Sequence, residues 1–240
     1  MSITHKIQVA AAALTLGAVS AAAALAVTSP ATAATPAAGA GSLSIFSKEL
    51  GTPAQGGPVE DILNGSATAG QPIILKQASG SDASEDTLPI ALGSGLVSDF
   101  YGAGKVSAEA NSHFGNLRAV QVNYAPDGIR TGLCVGVASS QPYENEGLTL
   151  QPCTEPVTVW ALDFSVAPPK SETGGVQYFA IVNLATTDFA HPFAMSLNPD
   201  EVNSDHQLLQ IRTRRLQYRA NQTTVEDNQL WSNHPGPYTN

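Results

Sequence analysis

The sequence predicts an all-β protein, a closed barrel assembled from three pseudo-repeats. Three observations predict it. The stretch Cys134–Trp160 (CVGVASSQPYENEGLTLQPCTEPVTVW) has a shadow 75 residues earlier, VEDILNGSATAGQPIILKQA, Val59–Ala78. Val59 falls on Cys134, Ile62 on Val137, Ile73 on Leu148, Leu75 on Leu150 and Ala78 on Cys153, so both cysteines are replaced together by small apolar residues. A fainter third copy, AMSLNPDEVNSDHQLLQI (Ala194–Ile211), lies about 60 residues further on and is closed by Asn228-Gln229-Leu230-Trp231. Finally, each unit reads as short apolar runs broken by turns, and none could bury its apolar face alone; closing the units on one another is the economical solution.

The first element is a targeting segment. Lys6 supplies the positive start, Ile7–Val27 the apolar run and Ala31-Thr32-Ala33 a small-residue cleavage site, so residues 1–33 read as a signal peptide. Residues 34–41 (ATPAAGAG) then form a flexible new N-terminus. An uncleaved anchor is the alternative, since the run is long enough to span a bilayer, although Ala and Gly make it weakly apolar. The expected location is extracellular, and the Ala-rich signal with few lysines suggests a bacterium of high genomic GC.

Charge narrows the partners. The chain of 240 residues carries a net charge of −9, and removing residues 1–33 removes Lys6 and no acid, giving −10. An acidic exported protein is a poor ligand for nucleic acid, whose affinity comes from cationic contacts to phosphate. After cleavage it has no charge attraction to anionic lipid either. In such a chain Cys134 and Cys153 are expected to pair, closing a loop of roughly 20 residues; two free thiols are the alternative.

The elements follow in order. Ser42–Phe46 alternates as a first strand. Val59–Leu63, the Asn64-Gly65 turn and Ile73–Leu75 make a hairpin. Ser79–Thr87 (SGSDASEDT) reads as an exposed acidic loop, Leu88–Phe100 as a strand and turn, and Gly102–Gly115 as an insertion between units. Leu117–Tyr124 alternates cleanly and opens unit two. Leu133–Val137 and Leu148–Leu150 lie inside the cysteine loop, followed by Val157–Phe164 and a linker over Pro168–Gly175. Val176–Leu184, Phe193–Leu197 and Gln207–Ile211 build unit three, with Leu216–Tyr218 extending a hairpin. Leu230-Trp231 closes the barrel, and residues 234–240 are a tail. No long segment of helical period follows the signal.

VEDILNGSATAGQPIILK resembles the repeat of ricin-type β-trefoil lectins, in which a Cys-apolar-Asp-apolar strand precedes a Gly/Asn/Ser-rich turn and an apolar-Gln-apolar-Trp strand. The cysteine spacing of CVGV and GLTLQPC, and the Gln-x-Trp of NQLW, resemble the same family. The resemblance implies a β-trefoil over residues 42–233 and non-catalytic carbohydrate binding with no cofactor. It also implies where sugar would sit: an Asp on the first strand, an aromatic platform on the second and an Asn before Gln-x-Trp. A carboxylate accepts charge-assisted hydrogen bonds from vicinal hydroxyls, a ring stacks on the sugar's C–H face, and an amide both donates and accepts. Carried over, unit one has Asp61 at the acidic position and Lys76 at the platform, with the amides falling near Glu85 and Asp86. Unit two has Gly136 for the Asp; unit three has Ser196, but keeps Asn228 and Gln229. The candidate carbohydrate residues are therefore Asp61, Lys76, Glu85, Asn228 and Gln229. Asp61 has an alternative reading, a strand-end acid bonded to the Asn64-Gly65 turn. Trp160 and Trp231 are expected in the core.

Other constellations are weaker. His113, His191, His206 and His234 lack metal-ligand spacing. Asp200, Glu201, Asn203, Asp205 and His206 are oxygen-rich but lack the Gly and Glu of a calcium loop, which favours a solvated turn over calcium. No nucleophile elbow exists. Arg212, Arg214, Arg215 and Arg219 would either bind an anionic polymer or pair with acids such as Glu226 and Asp227. The expectation is a secreted lectin-like binder of carbohydrate or cell-surface glycan, the alternative a protein-interaction or structural module whose sugar sites have decayed.

Overall fold

The computed structural model describes residues 43–79, 81–202, 209–220 and 223–235. The expected signal peptide and flexible segment, Asn203, Asp205 and His206 of the oxygen-rich loop, and the end of the tail lie outside the described residues.

Unit one consists of β1 (Leu43–Ser47), a hairpin of β2 (Pro58–Ile62) and β3 (Ile73–Gln77), and β4 (Thr87–Ile90). Two short helices follow, α1 (Val97–Gly102) and α2 (Ala108–Phe114). Unit two repeats the pattern with β5 (Arg118–Tyr124), β6 (Leu133–Gly136), β7 (Thr149–Pro152) and β8 (Trp160–Asp163). Unit three has β9 (Ala180–Asn183), β10 (Phe193–Ser196), the single turn α3 (Pro199–Val202), β11 (Leu209–Gln210), β12 (Arg212–Arg215) and β13 (Trp231–Pro235). The last strand thus runs two residues into the stretch read from sequence as a tail.

The strands close on themselves. β1 pairs with both β13 and β4, β4 with β5, β5 with β8 and β8 with β9, all antiparallel. Phe179, just before β9, bridges Trp231 of β13, each N–H donating to the other's carbonyl at 2.9 Å. Closure leaves no free edge in this ring. The hairpins cap one end. Ile73 N–H donates to Leu148 O at 3.0 Å, Leu148 N–H to Ile211 O at 2.8 Å, and Ile211 N–H to Ile73 O at 3.0 Å. That cycle of three equivalent bonds marks a pseudo-threefold axis. A six-stranded ring capped by three hairpins about such an axis is the β-trefoil arrangement.

A second cycle fixes the register where each unit re-enters the ring. Ala125 N–H donates to Asp86 O, Leu184 N–H to Val159 O and Lys48 N–H to Leu230 O, at 2.9, 3.0 and 2.8 Å. Asp86, Val159 and Leu230 are therefore equivalent, and so are the next residues, Thr87, Trp160 and Trp231.

Alternation on the strands separates two apolar clusters. One fills the barrel and the underside of the cap, with Ile45, Ile73, Leu148, Trp160, Ile211 and Trp231 among its members. The other lies against α1 and α2 and includes Phe46, Phe100, Ala110, Val159 and Leu230. The strand and turn expected over Leu88–Phe100 are present up to Leu96, and the helices are what the expectation lacked: α1 ends that stretch and α2 lies within the insertion between units. Asp99 accepts from Ser94 N–H at 2.8 Å and Leu96 N–H at 3.1 Å, and Ser107 accepts from Ala110 N–H at 3.1 Å, so side chains cap both helix starts. Helices of six and seven residues show barely two turns, too few for a period to appear among the glycines.

Cys134 and Cys153 form a disulfide with Cα atoms 5.0 Å apart. Val59 and Ala78 take the matching places in unit one and are both buried.

Candidate functional site

β2 and β3 present two faces. Glu60 pairs with Leu75 and Ile62 with Ile73, and the three apolar residues of this face belong to the barrel cluster. On the other face Val59 pairs with Lys76 and Asp61 with Ile74. Residues 81–86 fold over this second face. They are not the exposed loop their acids suggest, because Ser84 and Glu85 are buried. Between hairpin and segment lies a cleft of about 380 Å³ lined by Asp61, Leu63, Ile74, Lys76, Asp82 and Ser84, with Asn64 and Gly65 at its lip.

The polar groups of the cleft are linked. Ser84 Oγ lies 2.7 Å from Asp61 Oδ2 and 2.5 Å from Asp82 Oδ1, one hydroxyl between two carboxylates. Lys76 Nζ lies 2.5 Å from Asp82 and 3.6 Å from Asp61. Asp61 is 2% exposed, whereas the Lys76 side chain is 44% exposed, so the acid forms the floor and the ammonium the mouth. Burial pushes the Asp61 carboxyl up despite the opposing Ser84 and Lys76 contacts. The hydrogen bonds from Lys76 and Ser84 hold Asp82 down at about 2. Lys76 is itself raised, first by its bond to Asp82. The cleft therefore offers a firmly ionised acceptor beside a firmly charged donor, backed by a second carboxyl that holds its proton more readily. Asp61, Asp82 and Glu85 place carboxylate oxygens within 4.8 Å of one another, but the Lys76 ammonium already supplies a cation to Asp61 and Asp82.

Of the residues singled out from sequence, Asp61 and Lys76 meet in this cleft. Asp61 bonds Ser84 rather than the Asn64-Gly65 turn. Glu85 stands behind, accepting from Ser79 N–H at 2.8 Å. Gln229 occupies the equivalent place in unit three and accepts from Gln217 N–H at 2.7 Å while donating to Arg215 O at 2.8 Å. Asn228 donates to Leu197 O at 3.0 Å. Both amides are buried and engaged with the backbone. Asp82 and Ser84 escaped the sequence reading. The stretch from Ala78 to Thr87 takes nine steps where Cys153 to Trp160 takes seven; the places of Asn228 and Gln229 belong to Ser84 and Glu85, one residue before Glu85 and Asp86, where the sequence alignment put them.

The matching places in the other units are closed. A Cβ on Gly136 would lie 2.9 Å from Thr158 Cγ2 and 3.0 Å from Val157 O, so no side chain fits. Ser196 is fully buried and donates to Leu197 O at 2.9 Å. The four arginines pair internally: Arg212 with Glu201 at 3.3 Å, Arg214 with Glu144 at 2.9 Å, Arg215 with Asp188, and Arg219 with Asp227.

No protein-family description and no curated protein matches the sequence. Among solved structures, the chain is similar to the designed threefold-symmetric protein ThreeFoil, at 11% identity over 80% of this chain and 96% of that one, with a TM-score of 0.49. It is similar to the Rhizoctonia solani agglutinin at 16% identity over 80% and 93%, with a TM-score of 0.46. A third similar structure is the C-half of the earthworm R-type lectin in complex with GalNAc, at 11% identity over 80% and 99%, with a TM-score of 0.39.

Proposed function

We propose that the chain is a secreted, non-catalytic carbohydrate-binding protein, exported by the signal at residues 1–33, that takes its ligand in the unit-one cleft. The observation that supports this reading is that, among the described residues, the cleft survives in unit one while Gly136 and Ser196 fill the equivalent places. In unit one Asp61, Asp82 and Lys76 leave an opening of about 380 Å³. Asp82 at the mouth accepts hydrogen bonds from a hydroxyl pair, and the Lys76 ammonium donates to a hydroxyl or ring oxygen. Charge-assisted bonds of this kind are the stronger ones.

A second reading, a module that binds protein, draws on a specific feature. The cleft has no aromatic wall, only Leu63 and Ile74, and its charges already answer one another. A glycan array separates the two. It is probed with the folded protein beside Lys76→Ala, which removes a half-exposed side chain, and Asp82→Asn, which keeps the shape of the mouth and removes its charge. Binding that weakens about tenfold or more in both variants supports the carbohydrate reading, since each loses one charge-assisted contact. Absence of binding to every glycan by a protein shown to be folded moves the function to a protein partner.

A further inference from the structure

The indoles of Trp160 and Trp231 hold the hairpin carbonyls of Val135 and Met195, both at 2.8 Å, so β8 and β13 leave the cap at these residues. Further along the same strands lie Phe164, just past the end of β8, and Asn233 and His234. There the loop Thr52–Ala54 and the linker from Lys170 to Gln177 enclose a second cleft of about 470 Å³, within the range of small-molecule sites. Its apolar wall is aromatic. Phe164 is 38% exposed, and its ring is braced by the buried ring of Phe179 with centroids 5.0 Å apart. A ring held from behind is a fixed plate.

The rim of this cleft has polar groups free to bind. Among the described residues, the Asn233 amide and the Lys170 ammonium have no hydrogen-bond or ion-pair partner, unlike the lysines of the unit-one cleft and of β1's end, Lys76 and Lys48, which are paired. Gln177 uses its Nε2 on Tyr178 O at 3.1 Å, which leaves its side-chain carbonyl open. We propose that this cleft is a second binding site, which takes a single pyranose ring stacked on Phe164. The sugar's C–H face covers the plate, while Asn233, Gln177 and Lys170 read the hydroxyls at its edge. The ligand class is shared with the proposed function; the residues are not, so either site can fail alone.

The test is an amide-resolved NMR titration with the methyl glycosides of galactose, glucose, N-acetylglucosamine and galacturonic acid, each to about 50 mM, enough to fill a site of millimolar affinity. At least one glycoside is expected to shift the amides of Val176–Phe179 and Asn233–His234. The shifts should weaken about tenfold in Phe164→Ala, persist in Phe164→Trp, and be unchanged in Lys76→Ala. The proposal is overturned if no glycoside moves those amides, or if Phe164→Ala binds as well as the parent. Shifts confined to the unit-one cleft would keep the proposed function and discard this site.

Discussion

Units two and three fill the layer beneath the cap in one way and unit one in another. In the first two, a fully buried indole opens the returning strand and a small polar residue faces it, Asn183 opposite Trp160 and Ser47 opposite Trp231. In unit one the bulk changes sides. Thr87 opens the strand, and the large residue is its cross-strand partner Tyr124, fully buried, whose hydroxyl donates to Gly65 O at 2.9 Å. The pseudo-threefold axis therefore fixes a volume at each position and leaves open which strand fills it, because close packing constrains the sum of a pair rather than its members. The exchange also changes the hairpin above. The rung that carries Val135 and Met195 in the other units carries Glu60 here, on the core face, with both carboxylate oxygens unpartnered among the described residues.

The largest effect should come from emptying that layer. Trp160→Ala is expected to cost about 3–5 kcal/mol in denaturant unfolding, as buried aromatic truncations do. If Tyr124 does the indole's work in unit one, Tyr124→Ala should fall in the same range. A cost below about 1 kcal/mol would show that Tyr124 does not hold the layer, and the comparison would break.

The disulfide sharpens the comparison at the other end of the hairpin. Unit one already shows a cysteine-free solution, Val59 with Ala78. The double variant Cys134→Val with Cys153→Ala should therefore fold, less stable by roughly 3 kcal/mol if closing the loop is the bridge's main effect. For a domain of this size that is a fall in Tm of about 5–10 °C. An unchanged melt would mean that the bridge adds nothing beyond the packing unit one achieves without it.

These contrasts bear on how much was legible in the sequence. The paired loss of Cys134 and Cys153 and the apolar rungs of the hairpins survive in linear order, so the repeat and the three-unit barrel could be read. The meeting of Asp61 with Lys76 follows from the same hairpin register. What was hidden depends on counting and on coverage. The loop between Ala78 and Thr87 is longer than its counterpart in unit two, so the alignment there had no fixed register and missed Ser84 by one residue, and a segment rich in Ser and Asp looks solvated until it is seen lying over a hairpin. Asn228 and Gln229 matched a motif by type, yet their amides answer backbone groups, which residue identity alone does not reveal. Glu60 was visible as an acid at an apolar position of the repeat, a local conflict of the kind that marks a functional or strained site.

Glu60 gives the smallest and most specific effect, because it appears only as a dependence on pH. Burial, reinforced by neighbouring Asp61, pushes its carboxyl from 4.5 up to about 8. The folded state therefore keeps a proton that the unfolded chain has already released. This contribution to stability is fully present below pH 4.5 and is lost as pH rises through 8. Between pH 6 and pH 8 the loss should amount to about 2 kcal/mol in the parent. Glu60→Gln keeps the shape without the titration, and Glu60→Met installs the residue that unit three uses. Both should remove that slope, and Glu60→Met should be the more stable at pH 8, since it also leaves no unpaired polar atom in the core. Unfolding free energies across pH 5 to 8 that fall in parallel for parent and variants would place the proton elsewhere, with Asp61 and Asp86, both also raised by burial, as the remaining candidates in unit one.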